Sequence, residues 1–158
     1  LGYRLLGRER RIAFFMPFDG EPNIQPLQQS LQRSGKQIVL PKINRKKPST
    51  MQFVELTRGG KLTRNQFKIA EPVNRRRIRL AELDVILLPL TAFDERGNRL
   101  GMGAGFYDRA LQSRRGKLLR RPKLIGVAYH WQAIAQLPTD LWDLPLHAIL
   151  TDKKIIRI

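Results

Sequence analysis

Cysteine is absent from the 158 residues, so neither a disulfide framework nor a thiolate metal centre is available. Acidic side chains are scarce. Against 30 Lys+Arg stand only 13 Asp+Glu, a formal net charge of +17 at pH 7. Such an excess concentrates anions at the surface and steers them inward. The partner is therefore acidic, and nucleic acid, phospholipid, nucleoside triphosphate and polycarboxylate all fit, since net charge alone does not separate them. The basic residues cluster at 8–11, 45–47, 75–79 and 114–123, and each cluster reads equally well as a solvated face. Long apolar runs are missing too. The longest, residues 85–90, is strand-sized, far short of the roughly 20 residues that cross a bilayer. Nothing at the N-terminus resembles a signal peptide's apolar core, so a cytoplasmic location and no membrane partner are expected. The chain begins at Leu1 rather than methionine, which reads as a start inside a longer open reading frame or after processing.

What is present is enough for one core. With 42% hydrophobic residues over this length, residues 1–158 are expected to form a single domain, and a monomer is the default. The run 11–16 (RIAFFM) reads as a strand ending at Pro17, and residues 24–31 have helical spacing. Gly35 ends that helix, and 37–40 (QIVL) reads as a second strand closed by Pro41, completing a βαβ unit. Residues 43–71 read as an excursion with one hairpin-like pair. The run 83–89 (LDVILLP) suits a parallel strand buried on both faces at the centre of a sheet. A helix over 105–112, a strand over 124–129, a proline-broken stretch over 137–146 and two short closing strands at 148–150 and 155–158 follow. Strands alternating with helices, without a repeat period, predict an α/β fold, a three-layer α/β/α domain with a mostly parallel central sheet.

The chemistry is concentrated between the central strand and the next helix, in Phe93-Asp-Glu-Arg-Gly-Asn-Arg-Leu-Gly-Met-Gly-Ala-Gly-Phe-Tyr-Asp-Arg109. Gly101, Gly103 and Gly105 remove side chains that would keep an anion from the backbone, so that successive N–H groups can converge on phosphate oxygens near a helix start. The loop also follows the carboxyl end of a strand, where open α/β sheets bind ligands. It is neither a Walker loop nor a Gly-x-Gly-x-x-Gly loop, and glycine spacing by itself fits a tightly turned loop equally well. Arg99 can clamp a phosphate. Asp108 beside bound phosphates calls for a cation between them, as Mg²⁺ held by one carboxylate plus phosphates provides; its alternative is an acid favoured in the first helical turn.

That ungapped run resembles the signature of the 5-formyltetrahydrofolate cyclo-ligase family, also called 5,10-methenyltetrahydrofolate synthetases. The block Phe15-Met16-Pro17-Phe18-Asp19-Gly20-Glu21, the pairs Gly35-Lys36 and Leu40-Pro41, and the tail from Trp142-Asp143-Leu144-Pro145 to Thr151 are similar to the same family, so the likeness spans nearly the whole chain. It implies an ATP-dependent ligase of folate and one-carbon metabolism, with 5-formyltetrahydrofolate, polyglutamylated or not, as its partner and ATP and Mg²⁺ as cofactors. By resemblance Arg99, Leu100, Gly101, Met102, Gly103, Ala104, Gly105, Phe106 and Tyr107 surround ATP, with Arg99 and Tyr107 in catalytic roles, and Asp108 holds the metal. Met16, Glu21 and Met102, Gly103, Ala104, Gly105 and Phe106 border the folate. A carboxylate such as Glu21 can accept hydrogen bonds from a pterin's N–H groups. On residue type alone, Glu21 reads as a helix-start acid and Met16 as core.

Two departures from the family are visible. Its helix before the first core strand, which carries basic residues that reach ATP, has only residues 1–10 to correspond to it, so the domain is expected to lack that helix. A second metal-associated aspartate of some members is matched by His147. The competing readings are a basic nucleic-acid-binding module, motivated by +17 and by Tyr129, His130, Trp131 and Phe67 among basic stretches, and a truncated, inactive family member. Aromatics of that kind are expected in the core.

Overall fold

The computed structural model describes residues 2–112, 122–140 and 143–158. Trp142 and the basic run at 114–121 lie outside the described residues. A short helix α1 (Gly2–Leu6) precedes β1 (Arg11–Ala13), and α2 (Gln25–Arg33) leads to β2 (Gln37–Ile43). Next come β3 (Met51–Leu56), the paired strands β4 (Leu62–Arg64) and β5 (Ala70–Pro72), β6 (Arg77–Ile78) and β7 (Val85–Pro89). The remainder is β8 (Ala92–Phe93), β9 (Arg99–Leu100), α3 (Phe106–Leu111), β10 (Lys123–Ala128), β11 (Ala148–Thr151) and β12 (Ile155–Arg157).

Eight strands form one sheet in the order β12-β11-β10-β7-β1-β2-β3-β6. Its middle five, β11 to β2, are parallel, and β12, β3 and β6 add antiparallel edges. The period of two in β7 divides the core. Val85 and Leu87 join Ile12, Ile38 and Val127 beneath Leu6 of α1 and Ile24 and Leu31 at α2, whereas Ile86 and Leu88 join Val39, Leu124 and Ile149 against Leu111 of α3. Helices on both faces of a mostly parallel sheet give the three layers expected, and β7 lies inside the sheet as its continuous apolar run required. Among the described residues no helix is long and apolar enough to cross a membrane.

Three element boundaries differ from expectation. Strand β2 does not stop at Pro41 but runs to Ile43. Gln37 donates to Arg10 O and Val39 accepts from Phe14 N–H, so odd-numbered residues of β2 face β1. Strand β1 ends at Ala13, so the N–H that Pro41 lacks would fall beyond the last paired residue of β1, opposite Phe14, and breaks no bond of the β1–β2 ladder. Strand β1 is shorter than the run RIAFFM, and Phe14 and Phe15 stay buried at 1% and 2% exposure as the chain leaves the sheet. The segment 51–56 pairs antiparallel with β2 in the main sheet, while the hairpin-like pair of the excursion is β4–β5.

Strand order places the site. From β1 the chain moves to β2 on one side, and from β7 it moves to β10 and β11 on the other. The crevice outside the carboxyl ends of β1 and β7 is thus the topological switch point, where such sheets bind ligands. The segments 14–21 and 90–105 both leave the sheet there.

Candidate active site

The glycine-rich segment begins with a scaffold. Thr91 N–H donates to Leu100 O at 2.8 Å, and β8 pairs with β9 through Ala92↔Leu100 and Phe93↔Arg99. The turn between them is wound on Asp94, which is completely buried. Its Oδ1 accepts the N–H groups of Arg96 and Asn98, both at 3.0 Å, and its Oδ2 accepts Asn98 Nδ2 at 2.8 Å and Leu137 N–H at 3.0 Å. Burial alone would raise this carboxyl's pKa, yet the hydrogen bonds from Asn98, Leu137 and Arg96 hold it below the usual range. Gly97 completes the turn at φ +86°, where a β-carbon would come within 3.0 Å of Leu146 O. Asp94 carries no role in the sequence reading, although an aspartate three residues before Gly97-Asn98 is a turn signal.

Beyond β9 the loop opens. Gly101, Met102, Gly103 and Ala104 are exposed, and no atom lies within 4 Å of a β-carbon built at Gly101 or Gly103. Gly103 and Gly105 have φ of +84° and +64°, conformations that other residues reach only with strain. Gly105 is the residue from which α3 starts. The backbone of 101–105 is therefore accessible, as an anion-binding loop requires.

Arg99 and Asp108, read separately in the sequence, are brought together, with Nη2 2.7 Å from Oδ1. The guanidinium side chain is 9% exposed and the carboxylate side chain 52%. Tyr107 is next to them. Burial pushes its hydroxyl pKa well up, the negative charge of Glu21 pushes it further, and Arg99 partly opposes both. Glu21, from the loop after β1, is thus in electrostatic reach of Tyr107 from the loop after β7. Its Oε2 accepts Phe18 N–H at 3.0 Å. Burial pushes the Glu21 carboxyl up to about 7, against the Phe18 hydrogen bond and helped by Asp19. Met16 is half-buried against the core on the α2 side.

Among the described residues no three His, Cys, Asp or Glu side chains gather as a metal cage. A single half-exposed carboxylate, Asp108, next to an open glycine loop fits a Mg²⁺ that draws its other ligands from phosphates and water. His147 is elsewhere. Its Nδ1 accepts Leu124 N–H at 3.1 Å and its own N–H donates to Leu124 O at 2.8 Å, joining the starts of β10 and β11 at the opposite end of the sheet.

Arg109 and Phe67 make contacts beside the loop that the sequence reading did not assign. Arg109 donates from Nε to Ser49 O and from Nη2 to Ala104 O, both at 2.6 Å, and lies 5.3 Å above the Phe106 ring. Phe67, at the β4–β5 turn, meets Phe106 edge-on at 6.0 Å. The excursion 43–71 is thereby fastened to the start of α3. It holds a pocket of about 300 Å³ lined by Ile43, Arg45, Pro48, Arg64, Asn65 and Glu71 among others. The expectation that the scattered aromatics are core is overturned, since Phe67 is 45% and Trp131 77% exposed. No single-residue signal distinguishes such positions from surface arginines or buried rings.

Comparison with known proteins gives one answer. The model of the 5-formyltetrahydrofolate cyclo-ligase family matches residues 4–152. The chain is 40% identical over 146 residues to 5-formyltetrahydrofolate cyclo-ligase of Escherichia coli, covering 91% of this chain and 79% of that protein. With the Haemophilus influenzae enzyme of the same name it shares 41% over 143 residues, 89% of this chain and 75% of the other. The solution structure of Aquifex aeolicus 5,10-methenyltetrahydrofolate synthetase superposes with a TM-score of 0.80 at 31% identity, covering 95% and 72% of the two chains. A matching family model, a matching fold and a glycine loop at the switch point agree, and the chain belongs to the 5-formyltetrahydrofolate cyclo-ligase family of enzymes.

Proposed function

We propose that the protein converts 5-formyltetrahydrofolate and ATP to 5,10-methenyltetrahydrofolate, ADP and phosphate. The observation that carries this reading is the convergence, at one switch point, of the Met16–Glu21 loop and the Arg99–Asp108 loop, with Glu21 in electrostatic reach of Tyr107. A formamide oxygen is a poor leaving group. Transfer of the γ-phosphoryl group to it releases ADP and makes it departable, and attack of the folate's N10 on the formyl carbon, with loss of the N10 proton, closes the ring as phosphate leaves. No protein nucleophile is needed.

The side chains then position and neutralise. The backbone of Gly101 to Gly105 receives phosphate oxygens, and Arg99 balances charge on the group in transit. Tyr107, held protonated throughout the neutral range, donates a hydrogen bond rather than abstracting a proton. Glu21 receives the pterin's N–H groups, with Met16 and the 102–106 loop against the ring system. Asp108 would hold Mg²⁺, which would supply charge neutralisation for the phosphates. Because Arg99 and Asp108 are paired, phosphate and cation entering together leave neither charge without a partner.

The test is an absorbance assay for methenyl-folate with 5-formyltetrahydrofolate, ATP and Mg²⁺. ATP-dependent product is expected, and its absence under saturating substrates would sink the reading. Asp108→Asn is expected to raise the Mg²⁺ concentration for half-maximal rate. An unchanged titration would remove Asp108 from the metal site.

A further inference from the structure

The aromatic residues after β10 were expected in the core, yet one of them is the most exposed large hydrophobic side chain among the described residues. Trp131 lies in a 3-10 turn, His130–Gln132, and is 77% exposed. Its ring is parallel to that of Tyr129, with centroids 6.1 Å apart and an interplanar angle of 10°. One indole face is therefore backed by a second ring while the indole as a whole remains open to solvent. Leaving so large an apolar ring exposed forgoes about 2–3 kcal/mol of burial.

Its position is fixed with respect to the glycine loop. Gln132 accepts Tyr129 N–H on Oε1 at 2.6 Å and donates from Nε2 to Leu90 O at 3.0 Å and Thr91 O at 3.1 Å. Thr91 in turn donates from Oγ1 to Leu100 O at 3.0 Å. On the other flank, His130 N–H donates to Asp152 Oδ1 at 2.7 Å. The turn that carries Trp131 is thus anchored on both sides, and one short hydrogen-bonded chain connects it to the residue before Gly101.

Strand order assigns the direction. The segment that carries Met16 and Glu21 follows β1, one neighbour of β7, whereas the turn that carries Trp131 follows β10, the other neighbour, and is tied through Gln132 and Thr91 to Leu100 at the start of the loop. Two substrates must meet at that loop, each with a flat ring system. If the folate occupies the β1 side, the base of the nucleotide has the β10 side open to it. We propose that Trp131, backed by Tyr129, is a stacking platform for the adenine ring of ATP. This rests on the cyclo-ligase reading for the identity of the nucleotide and of the loop that takes its phosphates. An indole gives a base a polarizable face without hydrogen-bond readout, so the platform confers affinity for purines in general and little discrimination between adenine and guanine.

The experiment is calorimetric and needs no turnover. Mg-ATP and Mg-tripolyphosphate, which has the phosphates but no base, are titrated into the wild-type chain, Trp131→Leu and Trp131→Phe. Trp131→Leu is expected to bind Mg-ATP on the order of tenfold more weakly, Trp131→Phe to recover most of that loss, and all three to bind Mg-tripolyphosphate alike. GTP is expected to follow ATP. Unchanged ATP affinity in Trp131→Leu, or an equal loss for ATP and tripolyphosphate, overturns the platform while leaving the cyclo-ligase reading intact. A loss confined to 5-formyltetrahydrofolate binding also overturns it, since the ring then serves the pterin. Failure of the wild-type chain to bind either phosphate ligand overturns the ATP reading and the platform together.

Discussion

Asp94 lies in the run that resembles the family signature, and its hydrogen bonds hold the fold. Four donors converge on its buried carboxylate, and they tie the β8–β9 turn to residue 137. Asp94→Ala leaves these N–H groups without their acceptor, and a loss of about 3 kcal/mol or more is expected in urea unfolding. Asp94→Asn keeps the two bonds on Oδ1 and is expected to lose less. Because the folded pKa is depressed, the carboxylate's contribution is complete above the unfolded value of about 3.9 and disappears as pH falls through the lower folded value. The difference between wild type and Asp94→Ala should therefore shrink only in acid. Glu21 behaves with the opposite sign. Its carboxyl is pushed up to about 7, so between about pH 4.3 and 7 the folded state binds more protons and stability falls as pH rises. Glu21→Gln is expected to be more stable than wild type above pH 7, by about 1 kcal/mol after allowance for solvent screening, with the advantage gone near pH 4. A pH-independent difference would show that the buried carboxyl does not titrate there. Arg99, Asp108 and the three glycines stood out by type and spacing, whereas Met16, Glu21 and Tyr107 were named only through the family resemblance. The pairing of Arg99 with Asp108 was not legible, because two side chains nine positions apart across a glycine loop meet only once the loop's positive φ angles are set.

At the scale of elements, the sequence pattern located strands by their apolar runs and missed what depends on neighbours. Pro41 looks like a terminator when read locally, but β1 has already ended beside it and the ladder loses nothing. Likewise β3 reads as half of a local hairpin, because alternation says that one face is buried without saying against which strand. The proposed function draws on the junction of the glycine loop with α3. Gly105 is left-handed at φ +64°, and a β-carbon there would come within 2.7 Å of Arg109 Nη1. That guanidinium also bonds Ala104 O and Ser49 O, so crowding it loosens both the glycine loop and the 44–50 loop. Gly105→Ala is expected to destabilise the protein by about 1–2 kcal/mol and to weaken ATP binding at least tenfold. Hydrogen exchange should rise at 101–106 and at 44–50 together. Faster exchange at 101–106 alone would mean that Arg109 does not couple the two loops.

The whole molecule adds a property that no element possesses. Alternation of strands and helices was enough to read the architecture, but the meeting of residues 16–21 with residues 99–108 is a consequence of strand order, which local pattern does not encode. The net charge of +17 was legible from the start and left its purpose open. With the site at the carboxyl end of the sheet and two polyanionic substrates proposed for it, the charge has a kinetic consequence. A basic surface draws anions toward an open loop over distances set by the Debye length, which falls from about 30 Å at 0.01 M salt to about 8 Å at 0.15 M. Encounter is slowed by screening, whereas the bound complex, in which charges are in contact and partly desolvated, is affected less. Raising salt across that range is therefore expected to lower kcat/KM for both ATP and 5-formyltetrahydrofolate several-fold while kcat changes little. Charge-reversing two exposed arginines that the proposal does not place in the site, Arg75→Glu with Arg77→Glu, should flatten the salt dependence of kcat/KM and spare kcat. If kcat/KM is indifferent to salt, the excess of basic residues does not steer these substrates. Its role would then have to be sought in a partner that meets the surface rather than the site.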